Sequence, residues 1–386
     1  MPSPPSSFAT ISRNRTVFSR KWTNKEYAIA FTSFSFTLIL FSLTRRPNLQ
    51  EPSRISSSNH LVPLTLLSNA TQRGALCLDG SAPGYHFQKG FGSGYQNWLL
   101  HIEGGGWCES VASCYQRKMT ALGSSKHMET EVPFSGILSS DPSQNPYFFN
   151  WNKVRIRYCD GASFAGHQES EIKDGNGLFF RGQIIWEAIM DELLSIGMSK
   201  AKQALLSGCS AGGLATLIHC DDFRKYFSKD INVKCLADAG FFLDEEDAIR
   251  NRTMRSFYHD VVQLQIQNIL VPHGSDPHGY WKSCRLNIPN CNADQFDVLH
   301  GFRKSLLKRL NEFQQRKEIG MFINSCFIHC QTAMGETWHS HNSPKINDKT
   351  IAETVADWYF DRKVLKLIDC PYPCNPTCRN MDFTRK

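Results

Sequence analysis

LSGCSAGGL, residues 206–214, contains Gly208-Cys209-Ser210-Ala211-Gly212, a G-x-S-x-G sequence. Between a strand and a helix this pattern makes a sharp elbow that lifts a serine hydroxyl from the top of an α/β sheet. The flanks suit that setting. Ala204-Leu205-Leu206 can end a buried strand, and Leu214-Ala215-Thr216-Leu217-Ile218 can open a helix packed on the sheet. Glycines beside the serine fit a turn in which larger side chains would collide. An ordinary serine in a glycine-rich turn gives the same five letters, so the rest of the chain must arbitrate.

Working outward, the runs at 98–102, 154–158, 204–206, 233–236 and 321–323 read as strands. Helical patterns lie between and after them, at 184–196, 214–227, 296–313 and 351–360. Strands alternating with amphipathic helices predict an α/β protein, α/β-hydrolase-like, with a mostly parallel sheet and covering helices.

A serine hydroxyl is a poor nucleophile and needs an imidazole to take its proton. The tetrahedral oxyanion also needs hydrogen-bond donors. Glu103-Gly104-Gly105-Gly106-Trp107-Cys108 follows the first strong strand. There the N–H groups of Gly106 and Trp107, joined by that of Ala211, would form an oxyanion hole. A tight βα turn is the plainer use of three glycines. Thirteen histidines compete for the role of base. His329 follows the strand at 321–323 and lies 119 residues beyond Ser210, in the order nucleophile, acid, base. His339 and His341 sit in a polar loop and are weaker candidates. The chemistry calls for no cofactor and no metal. The competing use of Cys326, His329, Cys330 and the Cys370 cluster is a zinc site.

Composition narrows the compartment. The 386 residues are 41 % hydrophobic and 20 % charged, as in a globular chain, and carry a net charge of +7. Residues 1–46 hold seven Lys/Arg and one acid, so the remainder is nearly neutral. Charge therefore gives no argument for nucleic acid as a partner. The basic leader brackets an apolar run at 28–43, which reads as a cleaved signal peptide or a retained signal anchor. Membrane contact is expected only through such an anchor. Residues 47–60 read as a flexible Ser/Pro/Asn-rich stem, and 61–386 as one domain. Fourteen cysteines after a secretory leader suggest disulfides. Cys108/Cys114, Cys284/Cys291, Cys326/Cys330 and the cluster of Cys370, Cys374 and Cys378 look like local staples, although spacing does not fix pairing. Asn69 and Asn251 head acceptable N-glycosylation sequons.

Against these residues the chain resembles the plant pectin acetylesterases, which are related to the animal Notum carboxylesterases. The resemblance runs from about residue 62 to the C-terminus. It rests on ALCLDGSAPGYHF, NWLLHIEGGGWC, RYCDGASFAG, LSGCSAGGLAT, INSCFIHCQ and DCPYPCNPTC. It implies an α/β-hydrolase, with Ser210 as nucleophile and His329 as base. The implied activity is secreted serine esterase action on acetyl esters of cell-wall pectin (homogalacturonan). Acetylated pectin is the implied partner.

One part of that pattern is missing. Family members follow the VVQLQ segment with a buried strand ending in the triad aspartate, whereas here Gln265 runs directly into Ile266-Gln267-Asn268-Ile269-Leu270-Val271-Pro272. A sheet short of one strand is therefore expected. Asp238 and Asp276 are weak substitutes for the absent acid. The alternative reading is a catalytically impaired pectin-binding pseudoenzyme or a truncated splice form.

Overall fold

The computed structural model describes residues 61–167, 177–245, 253–262, 264–265 and 281–382. The leader, the stem, Asn251, Asp276 and the residues just after Gln265 lie outside these.

The strands expected on apolar runs all form. β3 (Asn97–Ile102), β5 (Asn152–Ile156), β6 (Gln203–Cys209) and β7 (Asn232–Asp238) make the parallel heart of a seven-stranded sheet. Its order is β4-β1-β2-β5-β3-β6-β7. β1 (Leu61–Leu66), β2 (Gly84–Gln88) and β4 (Glu131–Pro133) extend one side with antiparallel pairing. These three escaped the sequence reading, because they lack the continuous apolar run of a strand buried on both faces.

Both faces are covered. Leu100, Ile102, Val154, Ile156, Ala204 and Leu206 form a core with α2 (Gly182–Ser195) and α3 (Ala211–Lys225). From the other face, Leu99 and Leu205 meet Phe148, Trp151 and Trp338. Ile351, Val355 and Tyr359 of α7 (Ile351–Tyr359) close that layer. Thr350 begins α7 with a capping box, its side chain accepting from the Glu353 N–H while Glu353 reaches back. Between these elements lie α1 (Val111–Lys118), α4 (Thr253–Val262), α5 (Ala293–Leu310) and the single turn α6 (Gly335–Trp338).

The expected shortfall of a strand is visible at β7. Among the described residues no strand lies on its outer edge. Six of its seven residues are only half-buried, whereas β6 is buried almost throughout. β8 (Met321–Ile323) does not continue the sheet; it pairs in parallel with β9 (Lys366–Ile368) as a separate two-stranded unit. A parallel strand left as an edge exposes a row of unpaired N–H and C=O groups.

All fourteen cysteines are in disulfides. Cys108–Cys114 and Cys284–Cys291 are the local staples expected. The pairing of Cys326 with Cys330 does not occur. Cys326 bonds Cys378, and Cys330 bonds Cys209, 121 residues away. Cys370 bonds Cys374, which leaves Cys378 for that longer bridge. Among the described residues no helix is long and apolar enough to cross a membrane.

Candidate active site

β6 ends at Cys209 and α3 begins at Ala211, so Ser210 alone makes the turn. Its backbone sits at φ 58° and ψ −121°, a conformation that costs an L-residue on the order of 1–3 kcal/mol. The surroundings fix it. The Ser210 N–H donates to the Asp238 carbonyl at 2.9 Å, and its own carbonyl accepts from the Leu214 N–H at 2.9 Å. Glycine at 212 is obligatory here, because a Cβ would lie 2.3 Å from the carbonyl oxygen of Ile102. Strain recurs around this point: Ala239 and Cys330 also have positive φ, at 49° and 68°.

Ser210 opens into a cavity of about 600 Å³ lined by Gly104, Gly105, Gly106, Phe134, Leu138, Arg155 and His329, among others. His329 is exposed, and a ring nitrogen lies within 4.8 Å of the sulfurs of Cys209 and Cys330. Nucleophile and base candidates thus share one pocket, carried by loops that the Cys209–Cys330 disulfide joins. The structure brings together the two side chains that the sequence set 119 residues apart. Among the described residues no hydrogen bond yet links the Ser210 hydroxyl to His329.

The glycine-rich loop is aimed by its carbonyls. Arg117 Nη1 donates to the Gly105 carbonyl at 2.9 Å, and the Tyr158 hydroxyl donates to the Gly106 carbonyl at 2.8 Å. Gly106 takes φ +67°, open only to glycine at little cost. The N–H groups of Gly106, Trp107 and Ala211 have no protein acceptor among the described residues. Ser163 ties the last two together, accepting from the Trp107 indole at 2.7 Å and donating to the Ala211 carbonyl at 2.8 Å. The Trp107 ring itself points away from the pocket, into an edge-to-face cluster with Phe242 and Tyr258.

Other candidates fall into different roles. His101 lines the cavity, but burial pushes it down to about 3, and its Nδ1 is 3.0 Å from the Ser207 hydroxyl. It stays neutral and is not placed to act as a base. His339 faces the Thr350 hydroxyl at 3.2 Å, and His341 is exposed. Asn69 is exposed just before a short helix. Zinc finds no thiolates: the two cysteine clusters that approach metal-ligand spacing among the described residues, Cys209–His329–Cys330 and Asp369–Cys370–Cys374, are closed by disulfides.

Asp238 lies beside the elbow, and its carboxylate is already engaged. Oδ2 accepts from both the N–H and the hydroxyl of Thr332, each at 2.7 Å. Burial raises its pKa, opposed by the Thr332 hydrogen bonds and, more weakly, by the nearby His329. No carboxylate is hydrogen-bonded to His329 among the described residues. Sequence reasoning missed three features: the Asp238–Thr332 clamp, the disulfide beside it, and an ion-pair network of Glu103 with Arg155 and Arg157. Cysteines next to Ser210 and His329 were the one available signal, and spacing could not pair them.

A fold comparison agrees with this architecture. The Wnt deacylase Notum from Drosophila superposes with a TM-score of 0.67 over 83 % of this chain and 100 % of that one, at 24 % identity. The class is that of α/β-hydrolase carboxylic ester hydrolases. A family model described as Pectinacetylesterase matches residues 55–266 and 263–379, and the chain belongs to that family. Pectin acetylesterase 5 of Arabidopsis thaliana is 54 % identical over 417 positions, covering 95 % of this chain and 97 % of the relative. Pectin acetylesterase 4 of the same plant is 52 % identical over 404 positions, covering 93 % and 98 %. Both alignments are longer than the 386 residues of this chain, so the relatives carry positions that it lacks. The two family matches meet at residues 263–266, the junction at which the strand and acid were expected.

Proposed function

We propose that this chain is a secreted serine esterase that hydrolyses acetyl esters of cell-wall pectin through an acetyl-enzyme. Ser210 attacks the acetyl carbonyl while His329 takes its proton. The oxyanion is received by the N–H groups of Gly106, Trp107 and Ala211. His329 then returns the proton to the departing sugar oxygen. Water, deprotonated by the same imidazole, releases acetate and frees Ser210. The observation that carries the reading is the strained Ser210 facing His329 across one cavity, with open donors beside it.

Supporting the compartment are seven disulfides, the basic leader with its apolar run, and the exposed sequon at Asn69. Asn69 and Asn251 are proposed as glycosylated, and the leader as the signal for export, whether cleaved or kept as an anchor.

That no carboxylate is hydrogen-bonded to His329 among the described residues favours a second reading. Losing the triad acid drops turnover about 10⁴-fold in the Ser-His-Asp template, since nothing fixes the tautomer or balances the imidazolium. A chain this impaired would serve as a pectin-binding pseudoenzyme or a truncated splice form. Acetate release from acetylated pectin, measured for the parent and Ser210→Ala, separates the two. Slow release abolished by Ser210→Ala supports the esterase. Release that survives the substitution refutes the mechanism, and none from either supports the pseudoenzyme.

A further inference from the structure

Among the described residues, Arg155 is the one member of a polar row whose donors are left open. Register places His86, Arg155, His101 and Ser207 side by side on four adjacent strands, so all four point to one face of the sheet. The others are satisfied locally: His86 Nδ1 lies 2.9 Å from the Val62 carbonyl, and His101 meets Ser207. Arg155 uses only Nη2, which donates to Glu103 Oε1 at 2.6 Å. Among the described residues its Nε and Nη1 have no acceptor. The side chain is 31 % exposed and lines the same cavity as Ser210 and His329.

Glu103, which also lines the cavity, takes only one nitrogen of this guanidinium. Its other oxygen lies 2.9 Å from Arg157 Nε and accepts weakly from the Tyr158 N–H at 3.4 Å. One carboxylate is therefore shared between two guanidinium groups, and only Arg155 reaches the cavity. Arg157 is 2 % exposed and turns its remaining charge to Glu129 at 2.7 Å. A guanidinium anchored at one nitrogen, with the rest of its fork facing a pocket, is built for a planar carboxylate.

We infer that Arg155 is a specificity-determining residue, binding a carboxylate of the polyuronate chain that carries the ester. The inference rests on the reading of Ser210 as a nucleophile toward acetylated pectin, and it names what that pocket recognises on the sugar side. A uronate polymer presents one carboxylate per sugar. Arg155 would hold it beside the elbow and so set which acetylated sugar enters. A small neutral acetyl ester has no group for this contact.

The test is calorimetric binding of an unesterified galacturonate oligomer and of its carboxyl-reduced, neutral counterpart to the full chain, at low and high salt. The expected result is tighter binding of the charged oligomer, with the preference shrinking as salt rises. Arg155→Gln should weaken charged-oligomer binding about tenfold and leave the neutral oligomer unchanged. Arg155→Lys should recover part of the loss, keeping the charge without the fork. Equal binding of the two oligomers by the parent overturns the inference. So does an Arg155→Gln protein that is folded by circular dichroism and binds the charged oligomer as the parent does. Should Arg155→Gln not fold, Arg155→Lys decides: binding equal to that of the parent at both salts overturns the fork. Because an unesterified oligomer needs no turnover to bind, a parent inactive on acetyl esters would sink the esterase reading and leave this result standing.

Discussion

Cys209 and Cys330 form a disulfide that binds the residue before Ser210 to the residue after His329. The bridge closes a loop with a sequence separation of 121, and the chain-entropy model assigns such a loop about 4–5 kcal/mol. That is a large share of a total stability of roughly 5–15 kcal/mol. It also holds the histidine loop against the elbow. Replacing both cysteines by alanine should lower the melting temperature. In the folded protein it should also cut kcat at least about tenfold, since an ångström-scale misplacement is costly in a near-attack geometry. Thermal melts and steady-state kinetics below the transition check both. An unchanged kcat would show that the bridge contributes to stability alone.

Asp238 is expected to position Thr332, and hence the loop after His329, without acting as the triad acid. Asp238→Asn keeps an oxygen to accept from the Thr332 N–H, and should cost less than about tenfold in kcat/KM. Asp238→Ala strands a buried N–H, a loss of about 1–3 kcal/mol, and should cost more in both stability and rate. Were Asp238 the working acid, the asparagine variant would fall about 10⁴-fold. Kinetics on a small acetyl ester distinguish these outcomes.

Stability should carry a pH signature from Asp160. Burial drives this carboxyl up to about 6, against the N–H groups of Ala162 and Phe164, which favour the charged form. Its Oδ1 has no hydrogen-bond partner among the described residues. A raised acid pKa means that the folded state holds a proton the unfolded chain has released. This contribution is therefore full below the unfolded value of 3.8, shrinks as pH rises toward about 6, and stays lost above that. The difference in unfolding free energy between parent and Asp160→Asn should shift by on the order of 2–3 kcal/mol between pH 4 and pH 7. Denaturant titrations at the two pH values measure it.

The sequence carried the catalytic half of this fold further than its scaffold. β3 and β6 were legible because strands buried on both faces are nearly continuous apolar runs, and β5 because Val154-Arg155-Ile156-Arg157-Tyr158 alternates apolar and charged residues. The elbow was legible because its glycines are sterically required. β1 and β2 were not, since Pro63, Gly84 and His86 break any simple pattern, and His86 is buried only because Val62 and Arg157 satisfy its ring. β9 is three residues long and too short to stand out. Arg155 entered the sequence reading only as part of the strand run 154–158. Its place in the cavity with Ser210 comes from strand register, which no single segment encodes.

The junction after Gln265 gives a further expectation. Splicing the additional positions of the 54 %-identical relative between Gln265 and Ile266 should extend the sheet beyond β7 and supply an acid to His329. Turnover on acetyl esters should then rise by about 10³–10⁴. Kinetics of the spliced and parent chains check this. A spliced protein that folds and gains nothing would mean that His329 is not the base awaiting that acid.

The most direct measurement is the covalent reactivity of Ser210. The full chain is treated with a fluorophosphonate, which phosphonylates a serine activated by a neighbouring base with loss of fluoride, and the adduct is mapped by peptide mass spectrometry. The expected result is one modified residue, Ser210, with labelling slowed at least about 10²-fold in His329→Ala. Labelling of Ser210 at the same rate without His329, or no adduct at Ser210 in the folded parent, would contradict the pairing of these two side chains.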